Sequence, residues 1–131
     1  AMATDAEQKE LKKLQDALKD AERSGYRTNL DLDRTEKRLK RQQLTLAEVE
    51  TFSEDVNMYE TVGRAFILTP APEIKTSLAK AIKESESSLK TLEKKKDYFK
   101  RERAKAEKDF NEALEQARKN FSKAQQKKSK K

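Results

Sequence analysis

Mostly apolar residues, weakened in places by small or polar ones, recur every three or four positions along two long stretches of this chain, and a single break separates them. In the first stretch the steps run through Leu11, Leu14, Leu18, Ala21, Gly25, Thr28, Leu32, Thr35, Leu39 and Gln42. In the second they run through Leu78, Ile82, Ser85, Leu89, Leu92, Lys96, Phe99, Arg103, Ala106, Phe110, Ala113 and Ala117. Both average about 3.5 residues per step, the period of a left-handed coiled coil. The pattern predicts two long helices, each with one thin apolar seam. The simplest way to bury both seams is to pair them antiparallel around the break. Facing residues would then have numbers totalling about 124, so that Leu32 meets Leu92, Leu14 meets Phe110 and Leu11 meets Ala113.

Composition supports a seam over a thick core. Charged residues are 42% of the 131 and the main apolar types 34%, against about 25% and about 45–50% in an ordinary globular domain. A chain this polar is either disordered or helical with a narrow seam, and the period selects the second. Net charge is +7, yet the stretch from Ser122 to Lys131 holds five lysines and no acid. Without those five the body carries only +2. The lysine run reads as a basic, disordered tail.

Punctuation is concentrated in the middle. Pro70 and Pro72 stand together, with Gly63 just before them. Thr45 and Glu48 have the spacing of a capping box. They predict that the long helix stops near Gln43 and that a short helical turn follows. The expected layout is one domain over 1–131. A first helical region spans 5–52, a β-hairpin 57–68, a second helix 73–121 and the tail 122–131. Pro72 suits the first position of the second helix, where a missing N–H costs nothing. Gly25, inside the first helix, marks a bend, a close helix contact or plain local weakness. Ala1-Met2-Ala3 reads as a remnant of expression with no part in the fold.

Residues 57–68 form the one segment with β character. Phe66, Ile67 and Leu68 are the densest apolar run in the chain. Gly63-Arg64 fits a two-residue turn with glycine at its first central position. A lone two-stranded hairpin is marginal in water, and its edges carry unpaired backbone groups. Placing the most apolar run there implies strands from other chains, and so an oligomer.

Several functions find no support. There is no His or Cys, no phosphate-cradling glycine loop and no plausible metal cluster. A helical hairpin also lacks the dry pocket that catalysis needs. No enzyme activity and no cofactor are therefore expected. No apolar run approaches the roughly 18 residues of a membrane span, and no signal-peptide pattern opens the sequence. Cytosol or nucleus is the expected compartment. Lys123, Lys127, Lys128, Lys130 and Lys131 could neutralise phosphates, but no groove-reading motif accompanies them, and specific nucleic-acid binding is not expected. A plain coiled-coil scaffold and a basic-tailed nucleic-acid-associated protein stay open as alternatives.

The run Asn57-Met58-Tyr59-Glu60-Thr61-Val62-Gly63-Arg64-Ala65-Phe66-Ile67-Leu68, then Glu73-Ile74 and Leu78, resembles the β-type subunits of prefoldin in its eukaryotic form. The likeness spans about Leu11 to Ala117, and its specific part is the hairpin. It implies a hexamer of two α-type and four β-type subunits, joined through their hairpins into a double β-barrel. It further implies an ATP-independent holdase that grips unfolded clients, actin and tubulin among them, at the coiled-coil tips. Those clients would pass to the cytosolic chaperonin. Tyr59, Val62, Gly63, Arg64, Phe66, Ile67 and Leu68 would serve assembly. Leu11, Leu14, Leu18, Phe110, Leu114 and Phe121, near the helix ends opposite the insert, are the candidates for client contact. Leu11, Leu14, Leu18 and Phe110 also sit on the seams, so a core role is open for them. Leu114 and Phe121 lie beside the seam.

Overall fold

The computed structural model describes residues 4–129. Helix α1 spans Asp5–Thr51, strand β1 Met58–Val62, strand β2 Ala65–Thr69 and helix α2 Ala71–Ser129. The fold is mainly α, with two long helices and one short antiparallel hairpin between them.

Helix α1 opens on a capping box at Thr4 and Glu7. The Glu7 N–H donates to Thr4 Oγ1 at 3.2 Å, and the Thr4 N–H donates to Glu7 Oε2 at 3.2 Å. The expected second box does not form. Thr45 Oγ1 instead donates to the Arg41 carbonyl at 2.8 Å, so α1 runs unbroken through Gln43 to Thr51. A helix-interior threonine can satisfy its hydroxyl on the preceding turn, and that bond removes the reason for a break. At the C-terminal end Thr51 Oγ1 donates to the Glu48 carbonyl at 2.6 Å.

Helix α2 starts at Ala71, one residue before Pro72. The Pro70 carbonyl accepts from the Glu73 and Ile74 N–H groups at 3.1 and 3.2 Å. Pro72 still falls in the first turn, where its missing donor has no intrahelical partner to lose. At the far end α2 continues to Ser129. Residues 122–129 are thus helical where the lysine run suggested a disordered tail. Lys, Ala and Gln are all good helix formers, and lysines in the last turn complement the helix dipole. Lys130 and Lys131 lie outside the described residues, as do Ala1-Met2-Ala3.

The chain divides into two compact units, each built from parts of both helices. The first holds residues up to Asn29 and from Lys95 onward. Here Leu11, Leu14, Leu18 and Ala21 of α1 are half-buried, as are Phe99, Ala106, Phe110, Ala113 and Ala117 of α2. Thr28 is buried, its hydroxyl donating to the Ser24 carbonyl at 2.8 Å. Glu7 lies across from Asn120, whose Nδ2 donates to Glu7 Oε1 at 3.2 Å. A Cβ built on Gly25 would stand 4.0 Å from Phe99 Cβ.

The second unit spans Leu30–Lys94 and carries the hairpin. Leu32 is 7% exposed, and Ala71, Thr35 and Ser85 are buried. Ser85 Oγ donates to Gln42 Oε1 at 2.8 Å, a direct hydrogen bond between the helices. Facing residues total 124 at Gly25 and Phe99 and 127 at Gln42 with Ser85 and at Glu7 with Asn120. The register therefore sits at or slightly above the spacing expected from the seams. Every α1 seam position is half-buried or buried, and on α2 only Lys96 and Arg103 of the seam are exposed. Among the described residues no side chain is fully enclosed, as a two-helix layer dictates.

Candidate functional site: the exposed hairpin and the helix ends

Strands β1 and β2 pair Met58 with Thr69, Tyr59 with Leu68, Glu60 with Ile67, Thr61 with Phe66 and Val62 with Ala65. Directly paired residues share a face, and faces alternate along each strand. One face thus carries Tyr59, Thr61, Phe66 and Leu68. The other carries Met58, Glu60, Val62, Ala65, Ile67 and Thr69. Both faces are mostly apolar.

The turn is tight because of its glycine. Gly63 has φ +60°, and Arg64 does not share a positive φ. That combination matches a turn with glycine at the first central position. A Cβ on Gly63 would meet nothing, so the demand there is conformational and not steric. Arg64 is exposed, and among the described residues it has no carboxylate within ion-pair distance.

Phe66 is 72% exposed, and Tyr59, Val62, Ile67 and Leu68 are each more than half exposed. Single exposed apolar residues are ordinary, but a contiguous patch marks an interaction surface. Half-buried Thr69 and Glu60 are joined by a 3.4 Å hydrogen bond. This is the only side-chain bond between the strands among the described residues. Such a sheet has little to hold it together alone. Its chemistry is that of an assembly element: free edges supply backbone pairing, and two apolar faces supply burial.

Two further exposed apolar residues stand near the hairpin in the chain and were not singled out from the sequence. Phe52 and Val56, in the link from α1 to β1, are both exposed. The available signal was their place beside the hairpin, off both helical seams.

Near the start of α1 and towards the end of α2, Leu11, Leu14, Leu18, Phe110 and Leu114 are all half-buried. Leu114, expected beside the seam, is thus no more exposed than the seam residues. Phe121 is 40% exposed. Since Glu7 faces Asn120 and α1 begins at Asp5, Phe121 sits at the start of α1. The turns of α2 beyond it have no facing turn of α1. The described lysines of the run, Lys123, Lys127 and Lys128, are on that overhang and exposed.

Among the described residues no cluster of carboxylates could hold a metal, and no helix is long and apolar enough to cross a membrane.

Two long helices with complementary seams, joined by an unpartnered apolar hairpin, define a coiled-coil subunit of a larger assembly. Comparison with known proteins gives the family. A family model described as prefoldin subunit matches residues 26–117. Prefoldin subunit 1 of Tetraodon nigroviridis is 35% identical over 109 residues, 80% of this chain and 89% of that protein. Prefoldin subunit 1 of Homo sapiens is 34% identical over the same shares. The crystal structure of the prefoldin beta subunit from Thermococcus strain KS-1 matches with a TM-score of 0.70 at 18% identity. That match covers 80% of this chain and 92% of the other, and it shows the fold. The chain belongs to the prefoldin subunit family: it is a chaperone subunit that assembles with other prefoldin subunits.

Proposed function

We propose that this chain is one subunit of a hetero-hexameric, ATP-independent holdase in the cytosol. The hairpin joins it to α-type and β-type partners. The helix ends opposite the hairpin hold unfolded chains, such as those of actin and tubulin, and release them to the cytosolic chaperonin. The observation that carries this reading is the hairpin, whose large apolar side chains are exposed on both faces. A surface of that kind is stable only when partner strands cover it.

The helix ends suit a reversible grip. Their seam residues are half-buried, and helix termini open at little free-energy cost. Leu11, Leu14, Leu18, Phe110, Leu114 and Phe121 can then be presented to a client without a permanently open groove. No nucleotide-binding element appears in the sequence, so release would depend on competition from the receiving chaperonin.

The test is reconstitution with the other five subunits, followed by dilution of chemically denatured actin into the complex. Light scattering should fall in proportion to added complex, and ATP should change nothing. If scattering rises as it does without the complex, the holdase reading is wrong. A client other than actin being held would retain the mechanism and correct the substrate.

A further inference from the structure

The seam of α2 is interrupted at two positions that flank Phe99. At positions 96 and 103 it holds Lys96 and Arg103, both exposed, where every other seam position is at least half-buried. Opposite this stretch α1 places Gly25, which has no side chain to contribute. The three together leave an open groove within the unit formed by residues 4–29 and 95–129.

The groove has a floor, a wall and a rim. Gly25 and half-buried Phe99 make the floor, and a Cβ on Gly25 would only just reach van der Waals contact with Phe99. Phe99 is braced by Tyr98, their rings meeting edge to face with centroids 5.2 Å apart. Tyr26, 66% exposed, forms the wall. Lys96 and Lys100 stand on the rim, and among the described residues neither has a carboxylate partner within 4 Å. Arg103 is the exception, its Nε lying 3.7 Å from Glu22 Oε1.

We propose that this groove docks an acidic peptide segment. One bulky apolar side chain of the segment rests on the Gly25–Phe99 floor beside Tyr26, and flanking carboxylates meet Lys96 and Lys100. The charges favour a peptide over nucleic acid. A phosphate backbone is held by a track of cations, whereas this rim offers two free cations and sets Glu22 among them. The notch has the scale of a side chain and lies between surfaces of aromatic carbon. The site is separate from the helix-end patch and does not rest on the holdase reading.

The probe is a fluorescein-labelled peptide of glutamates around one phenylalanine, followed by anisotropy with the full chain in its assembled complex. Gly25→Leu fills the notch and should weaken binding about tenfold or more, as steric exclusion from a small pocket does. Gly25→Ala leaves most of the space and should bind nearly as well as the parent. Lys96→Gln with Lys100→Gln should weaken binding by about tenfold and flatten its salt dependence. These lysines are exposed, so the pair tests the site even if Gly25→Leu disturbs the helix, which circular dichroism would reveal. Changing the peptide's phenylalanine to serine should also cost most of the affinity. The proposal is overturned if neither the notch nor the lysine variants alter binding. It is equally overturned if single-stranded oligothymidine binds as tightly as the peptide and ignores Gly25→Leu, which would mark a general polyanion surface.

Discussion

At the scale of single residues, Gly25 and Gly63 show two different uses of glycine. Gly63 occupies a positive φ in a two-residue turn, where any Cβ is strained. Gly25 lies inside α1 with ordinary helical geometry, and its nearest cross-helix neighbour would be 4.0 Å from an added Cβ. Nothing steric requires a glycine there, so its backbone entropy is an uncompensated cost to the helix. Gly25→Ala should therefore raise stability by about 1 kcal/mol, seen as a higher thermal midpoint by circular dichroism. An unchanged or lower midpoint would mean that the contact with Phe99 is tighter than ordinary packing. The sequence alone placed Gly25 on the seam and left bend, close contact and weakness open. Only the distance to Phe99 decides among them, because spacing along one helix says nothing of the gap to the other.

At the scale of elements, the unit around the hairpin contains a polar pair between the helices, with Ser85 buried and Gln42 half-buried. Ser85 is 3% exposed and bonds Gln42 across the helices. A polar pair on a seam holds one register, since any slip strands both groups against apolar neighbours. Ser85→Ala should cost about 0.5–1.5 kcal/mol by removing the hydrogen bond to half-buried Gln42. Gln42→Leu combined with Ser85→Ala should recover most of that loss, as a denaturation-based double-mutant cycle would show. A double variant as weak as the single one would deny the pair its role.

The hairpin makes the second element-scale prediction. Phe66→Asp places a charge on the face shared with Tyr59 and Leu68, so it should block co-assembly by size-exclusion chromatography. Helical circular dichroism should barely change, because neither helix seam includes Phe66. Full co-assembly of the variant would show that this face is not covered by partners.

Elements also show what the sequence reveals and what it hides. Both seams were legible because a period repeated ten or so times is a strong signal, and each α1 position named from it is among the less exposed. Element ends were harder. The Thr-x-x-Glu pattern occurs at Thr4–Glu7, Thr45–Glu48 and Thr51–Glu54, and only the first caps a helix. The hydroxyl of Thr45 has an equal alternative on the preceding turn, and no local pattern tells which it takes. The lysine run was ambiguous for a similar reason: its charge suggests a solvated coil, while its Lys, Ala and Gln content favours helix.

At the scale of the whole molecule, the question is which residues at the helix ends hold the coiled coil and which meet clients. Leu14 and Phe110 lie on the seams and are half-buried, while Phe121 is the exposed member of the group. The two roles separate by stability. Phe121 is 40% exposed and sits where the helix ends open at little cost, so Phe121→Ser should lower stability by about 1 kcal/mol or less. Leu14→Ser removes a seam residue and should cost about 1–2 kcal/mol. If clients are gripped at these ends, Phe121→Ser in the assembled complex should reduce its capacity to suppress aggregation of denatured actin while assembly stays intact. Leu14→Ser should reduce both stability and capacity. Phe121→Ser with full capacity would leave Phe121 as an incidental exposed ring at the start of α1. The grip would then have to come from the seam residues themselves, reached only when the helix ends open, and capacity should rise with temperature as those ends fray.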